Sequence, residues 1–312
     1  MDVINLNCKN YTRIKMSNDN QYLAAATTNK VIIYEFDSFK IISQFAEIKN
    51  PSYIQFSPDN KLLAIKSTSG AIGLFSLESY SFLRKFKYFR EGGDGSNIYF
   101  TPDNQFIIDG DWLGNIRLIN IDDGLITILD KNENTMIKRI EYDEKGRVFH
   151  IQKFYRGGIS ITDESYHSVS RWKYSKNEKK IFPLDESNKL SRIGNELVYN
   201  IEKRYYINIH IKSPKNKQRE IVLYNYRLDS VMCRKHITGE VINYYTNSSI
   251  SGDGNYFGIV FANKVQIYST DEFKLEKEID VEFPKHIEFT FDNKYFYITN
   301  QKGNAYIYKI DF

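Results

Sequence analysis

The chain has 312 residues, of which 41% are apolar and 26% charged. That balance buries a sizeable core and excludes a disordered chain, a collagen, a coiled coil and a membrane-spanning bundle. Lys and Arg number 43 against 39 Asp and Glu, and a formal charge of +4 does not point to nucleic acid as the direct ligand. Two cysteines, Cys8 and Cys233, cannot staple a secreted scaffold. The opening Met1-Asp2-Val3-Ile4-Asn5 has neither the basic region nor the apolar region of a signal peptide, and the longest apolar runs, such as Phe257–Ala262, are far too short for a membrane span. These features predict a cytoplasmic protein with no membrane contact.

Along the chain a turn signal recurs. It reads Ser17-Asn18-Asp19-Asn20, Ser57-Pro58-Asp59-Asn60 and Thr101-Pro102-Asp103-Asn104, then Ser251-Gly252-Asp253-Gly254 and Thr290-Phe291-Asp292-Asn293. Weaker versions stand at Asp143-Glu144-Lys145-Gly146 and Glu202-Lys203-Arg204. Before it, apolar residues alternate, as in Ile14 and Met16, Ile54 and Phe56, Ile98 and Phe100, or Ile287 and Phe289. Period-two alternation running into Pro-Asp-Asn or Gly-Asp-Gly predicts a strand and a tight turn. A second strand follows, at Leu62–Ile65, Phe106–Ile108, Tyr256–Ala262 and Tyr295–Ile298.

A third strand is predicted seven times: Val31–Tyr34, Ile72–Phe75, Ile116–Ile119, Ile159–Thr162, Ile221–Tyr224, Val265–Tyr268 and Ala305–Tyr308. A fourth follows most of these, as at Phe82–Phe86 and Phe273–Ile279. Four strands repeated seven times at a period near 40 residues predict an all-β, seven-bladed β-propeller occupying residues 1–312 as a single domain. The last unit has three strands, so Val3–Cys8 is predicted to supply its fourth and close the last blade. Ser175–Asn195, rich in Lys, Glu, Asn and Ser, reads as a surface loop inserted between blades four and five, with a partner-binding arm as the alternative.

The pattern resembles the WD40 repeat family of seven-bladed propellers over essentially the whole chain. Phe56-Ser57-Pro58-Asp59-Asn60-Lys61-Leu62-Leu63-Ala64 and Gly110-Asp111-Trp112-Leu113-Gly114-Asn115-Ile116-Arg117-Leu118 carry the likeness best. The family's Trp position reads Tyr34, Phe75, Ile119, Thr162, Tyr224, Tyr268 and Tyr308, and no Trp-Asp pair occurs. The resemblance implies a rigid scaffold that holds protein partners.

Catalytic patterns are absent from the sequence. No two of His150, His167, His210, His236 and His286 lie within four residues of each other, and no CxxC, phosphate-loop or nucleophile-elbow motif occurs. No cofactor and no metal site is therefore predicted. Gly92-Gly93-Asp94-Gly95 leads into a strand and lacks the helix N-terminus that would hold a phosphate. An alternative reading keeps a small-ligand, metal or enzyme site in the central channel. It rests on the polar positions Lys15, Gln55, Tyr99, Glu141, Asn200, Ser249 and Glu288 of the innermost strands, with Glu141 and Glu288 as candidate ligands.

In the family, the loops between second and third strands share one face with those joining successive blades. On this chain that face would hold Trp112, Tyr155 and Arg156, with Phe89 and Arg90, Tyr244 and Tyr245, and Lys215, Lys217 and Arg219. Trp, Tyr and Arg dominate binding hot spots because each buries much surface and offers a polar group. The predicted function is a non-enzymatic scaffold that binds a protein or peptide around Trp112 and Tyr155. The basic outer-strand residues Arg84, Lys85 and Lys87, with Arg171 and Lys173, read as guards against edge-to-edge aggregation.

Overall fold

The computed structural model describes residues 4–5, 13–86, 97–131, 135–155, 166–187, 189–191, 194–213, 218–238, 248–302 and 304–312. Their regular structure is entirely β, arranged as seven antiparallel sheets. The fold is an all-β, seven-bladed propeller. Strand β1 (Ile4–Asn5) pairs with β29 (Ala305–Lys309) through Ile4 and Ile307, and so completes the last blade as predicted. The chain divides into two compact units, one of residues 12–189 and one of residues 1–11 with 190–312.

The first unit holds four blades. Blade one is β2 (Arg13–Met16), β3 (Tyr22–Ala26), β4 (Val31–Glu35) and β5 (Ile41–Phe45). Blade two is β6 (Pro51–Phe56), β7 (Leu62–Ser67), β8 (Ile72–Ser76) and β9 (Ser81–Phe86). Blade three is β10 (Ile98–Phe100), β11 (Phe106–Gly110), β12 (Asn115–Asn120) and β13 (Ile126–Lys131). Blade four is β14 (Thr135–Asp143), β15 (Val148–Tyr155), β16 (Tyr166–Ser175) and β17 (Lys180–Glu186). The second unit begins with the short β18 (Leu190–Ser191). Blade five follows as β19 (Gly194–Asn200), β20 (Tyr205–Ser213), β21 (Gln218–Asn225) and β22 (Val231–Thr238). Blade six is β23 (Ser248–Ile250), β24 (Tyr256–Val260), β25 (Lys264–Ser269) and β26 (Leu275–Asp280). Blade seven is β27 (Pro284–Phe289), β28 (Tyr295–Asn300), β29 and β1.

Within each unit the core lies between blades. Ile54, Phe56, Leu63 and Phe75 of blade two pack on Ala24, Ile33 and Phe45 of blade one. Ile137, Ile140, Phe149 and Trp172 of blade four pack on Ile108, Ile116 and Leu118 of blade three. Phe257 and Phe261 of blade six pack on Val198, Ile207 and Ile221 of blade five. Each inner blade thus carries apolar side chains on both faces, the pattern of a sheet covered on both sides.

The recurring turn is built as its residues suggest. Ser57 Oγ donates to Asp59 Oδ1 at 2.6 Å and accepts the Leu62 amide at 2.9 Å, while Asp59 Oδ1 accepts the Lys61 amide at 3.1 Å. The fourth residue is left-handed: Asn20, Asn60, Asn104 and Asn293 have φ of 57–60° and Gly254 has 71°. Asn and Gly enter that region most readily. The side chain also reaches the neighbouring blade. Asn60 Oδ1 accepts the Asn18 amide at 2.9 Å, and Asn293 Oδ1 accepts the Asp253 amide at 3.1 Å. Asn104 has no such bond. The residue of blade two that matches Asn18 is Pro58, which has no N–H, and Asn104 Oδ1 is buried without a partner.

Blade four corrects two expectations. Its third strand is β16, not Ile159–Thr162, and residues 159–162 lie outside the described residues. Within the stretch read as an inserted loop, Lys180–Glu186 forms β17, the blade's fourth strand. Arg171 and Lys173 therefore stand on the third strand of the blade rather than on its outer edge. The physical reason is packing: Trp172 and Tyr174 on β16 fill the seam against blade three. Trp172 pairs with Phe149 as Phe75 pairs with Leu63, so the third-strand position held by Phe75 in blade two is held by Trp172 in this blade. Its Nε1 donates to Ser170 Oγ at 2.9 Å.

The difference between the turns is testable. Asn60→Gly and Asn104→Gly both keep the left-handed backbone, but only the first removes an inter-blade hydrogen bond. Asn60→Gly is expected to cost about 1 kcal/mol more in urea denaturation. Equal costs would show that the Asn18–Asn60 bond adds nothing.

Candidate partner-binding face

The site builds from buried charge outward. Lys66 ends the apolar run of β7 and is only 1% exposed. Its Nζ donates to Asp109 Oδ1 and to the Gly110 carbonyl, both at 2.6 Å. Asp109, at the end of β11, is fully buried and accepts Arg117 Nη1 at 2.9 Å through its other oxygen. Arg117 faces Asp109 across the β11–β12 ladder and also binds Asp111. Burial lowers the pKa of the Arg117 guanidinium, but Asp109 and Asp111 outweigh it and hold the pKa above its usual value. Two cations and two carboxylates cancel in a space that would not tolerate either sign alone.

This network locks the β11–β12 turn. Asp111 Oδ1 accepts the Leu113 amide at 2.9 Å and the Asn115 amide at 2.8 Å, and Oδ2 accepts Asn115 Nδ2 at 2.7 Å. The Asp111 carbonyl accepts the Ile137 amide at 2.9 Å, which fixes the turn to the start of β14. Gly110 permits that approach, because a Cβ there would lie 2.4 Å from Ile137 Cγ2. On this rigid turn stand Trp112, 39% exposed, and Leu113, 44% exposed.

Tyr155 ends β15, half-buried, in register with Thr135 at the start of β14. The structure thus places Trp112 and Tyr155 at the same end of adjacent blades, joined through the first residues of β14. Phe154 and Lys138 belong to this end as well, with Lys138 Nζ 5.6 Å from the Phe154 ring centre. Lys131 closes β13 opposite Asn115 and is exposed. Of the other residues expected here, Phe89, Arg90, Arg156, Lys215, Lys217, Tyr244 and Tyr245 lie outside the described residues. Arg219 is described and fully buried, with its guanidinium carbon 5.4 Å from the Phe261 ring centre, so its side chain serves the core rather than the surface.

The polar residues of the inner strands have local roles. Gln55 is buried and donates to the Phe56 carbonyl at 3.3 Å. The Tyr99 ring meets Phe149 edge-on at 6.0 Å, and burial pushes its phenol pKa well up. Glu141 lies 3.4 Å from Arg139 Nε. Asn200 spans two turns, donating to the Gly254 carbonyl at 2.9 Å and accepting the Lys203 amide at 3.0 Å. Ser249 is buried, and Lys15 and Glu288 are half-buried. Among the described residues no three His, Cys, Asp or Glu side chains gather as a metal site would require, and no helix is long and apolar enough to cross a membrane.

The sequence singles out Trp112 and Tyr155, whereas Leu113, Phe154, Lys131 and Lys138 stand on neighbouring turns and strand ends that it does not mark. Nor does it mark the Lys66–Asp109 pair, because 43 residues separate the two.

The class defined by this architecture is a seven-bladed β-propeller, and solved structures agree. The β-propeller domain of Myceliophteria thermophila Cps50 (Swd1) matches with a TM-score of 0.74 and 11% identity, over 99% of this chain and 100% of that one. Hydrazine synthase of Kuenenia stuttgartiensis matches with a TM-score of 0.73 and 12% identity, over 97% of this chain and 96% of that one. At such identities the likeness is one of fold. No family model and no curated protein matches the sequence.

The buried network makes a sharp stability prediction. Asp109→Ala strands the buried Lys66 ammonium and takes one of its two carboxylates from Arg117, and is expected to cost about 3 kcal/mol, whereas the double change Lys66→Met/Asp109→Ala is expected to cost less than the sum of the two single changes. Urea denaturation of the singles and the double reads the coupling. Strict additivity would show that Lys66 and Asp109 do not stabilise each other.

Proposed function

We propose that this propeller is a non-enzymatic, cytoplasmic interaction scaffold that binds a protein or peptide at the Trp112 end of blades three and four. The observation that carries the reading is an exposed Trp-Leu pair on a turn fixed by a buried four-charge network. Large apolar side chains at a fixed position lose little conformational entropy on binding, so more of their burial appears as affinity. Tyr155 extends the surface with an aromatic ring and a hydroxyl. Affinity resides in these few anchors, and surrounding side chains exclude water.

The channel-ligand alternative has less support. Gln55, Tyr99 and Asn200 are engaged in packing or turn formation, and Glu141 sits beside Arg139. Neither similar structure bears on the choice, since a propeller fold serves many functions.

Affinity capture compares the wild type with Trp112→Ala/Tyr155→Ala, after thermal unfolding confirms that both are folded. A stoichiometric protein held by the wild type is expected to be lost from the variant. A partner held equally by both would move the site elsewhere. The absence of any partner would overturn the scaffold reading.

A further inference from the structure

We infer that the outer edge of blade three pairs with the same edge of a second copy of this chain. Strand β13 lies antiparallel to β13 of the other copy, about a twofold axis at Thr127. This association does not rest on the scaffold reading.

Strand β13 ends its sheet, so among the described residues no strand pairs with its outer row of backbone groups. The Leu125 carbonyl accepts the Asn120 amide at 2.9 Å and therefore points to β12. Alternation along the antiparallel ladder turns the groups of Thr127 the same way, and those of Ile126 and Ile128 to the open side. Such a row is a template for another strand.

Most outer strands of the protein guard that row. Arg84 and Lys85 stand on β9, Pro183 on β17, Arg234 and Lys235 on β22, and Glu276 and Lys277 on β26. Leu125-Ile126-Thr127-Ile128-Leu129 has no charge and no proline. Leu125 is 65% exposed and Ile128 62%. Strand β5 is uncharged too, but Ile41 is the one large apolar side chain that it leaves exposed. An uncharged, β-branched stretch on an open edge gains most from a paired strand.

The strand that fits this edge is the edge itself. With Thr127 on the axis, Ile126 of each copy lies opposite Ile128 of the other, and Leu125 opposite Leu129. The open amides and carbonyls of Ile126 and Ile128 then form four hydrogen bonds. An axis at Ile126 would set Ile128 against Gly124, and one at Ile128 would set Ile126 against Asp130. The Thr127 register also brings Asp122 and Asp123 to the strand end where the other copy has Lys131, and all three are exposed. Asp130 at that end is already held by Lys153 at 3.0 Å. The register slip of β13 falls after Ile128, beyond the four bonds. A twofold pairing uses both edges and closes at a dimer.

Sedimentation velocity is expected to show a mass rising toward twice that of the monomer between roughly 10 and roughly 500 μM, since so short a ladder gives a weak dimer. Ile128→Lys changes an exposed side chain, and is expected to keep the wild-type Tm and stay monomeric. Disulfide trapping with copper phenanthroline, in a Cys8→Ser/Cys233→Ser background, reads the register and decides the matter even if Ile128→Lys does not fold. Thr127→Cys faces its own copy across the axis and is expected to cross-link. Ile126→Cys is offset from its own copy by two residues, farther than the about 7 Å between Cα atoms that a disulfide spans, and is expected not to. A wild type monomeric throughout, or a dimer untouched by Ile128→Lys, would overturn the inference. Cross-linking through Ile126→Cys and not Thr127→Cys would overturn the register. A monomeric wild type that captures a protein lost from folded Ile128→Lys would put another chain's strand in place of the second copy.

Discussion

A four-stranded antiparallel sheet with apolar side chains on both faces must be covered on both faces, and that requirement organises this chain. Ile54 and Phe56 look toward one neighbour of blade two while Ala64, Ile72 and Leu74 look toward the other. Burying both faces of a blade stabilises it at roughly 25 cal/mol per Å² of apolar surface removed from water. Neighbouring blades must then approach closely. The second strands meet the inner strands of the next blade through glycines: Gly110 lies against Ile137 in one unit and Gly258 against Ile287 in the other, with no room for a Cβ. Polar groups in the seams pair locally, which keeps the burial favourable. The Asn18–Asn60 bond and the Tyr174 hydroxyl on Asp103 do so at the turns of the first unit.

Local chemistry was legible in the sequence; long-range competition was not. The Ser/Thr-x-Asp-Asn turns announce themselves because every bond within them spans five residues or fewer and their left-handed residue is Asn or Gly. Blades four and five were harder. Arg147 and Arg204 hold the left-handed position there with φ of 53° and 56°, so the turn signal fades although the turn survives. Ile159-Ser160-Ile161-Thr162 has perfect strand alternation, yet the strand paired with β15 is β16, whose Trp172 and Tyr174, beside Phe149, fill the seam against blade three. Periodicity ranks candidate strands by amphipathicity and cannot weigh the volume that a seam must fill. The same limit made β17 look like a loop: on an outer strand Phe182, Leu184, Asp185 and Glu186 are all exposed, so no alternation is imposed.

The candidate site shows the same division. Trp112 was visible as an unusual residue on a recognisable turn. Part of what fixes that turn lies in another blade, since Lys66 reaches Asp109 and the Gly110 carbonyl from β7. A buried lysine reads in sequence as a polar interruption of an apolar strand. Only the fold shows that it meets Asp109 and the Gly110 carbonyl, and that Arg117 joins Asp109 to Asp111.

Buried ion networks add less to stability than apolar packing of equal volume, because desolvating the charges offsets most of their attraction. Their strength lies in geometry. Each carboxylate oxygen here has one directed partner or more, so the turn between β11 and β12 has a single low-energy arrangement. The energetic logic of blade three is therefore that of a turn whose ordering is met in folding: Lys66, Asp109, Asp111 and Arg117 fix its backbone, and the side chains of Trp112 and Leu113 are carried at a set position on it.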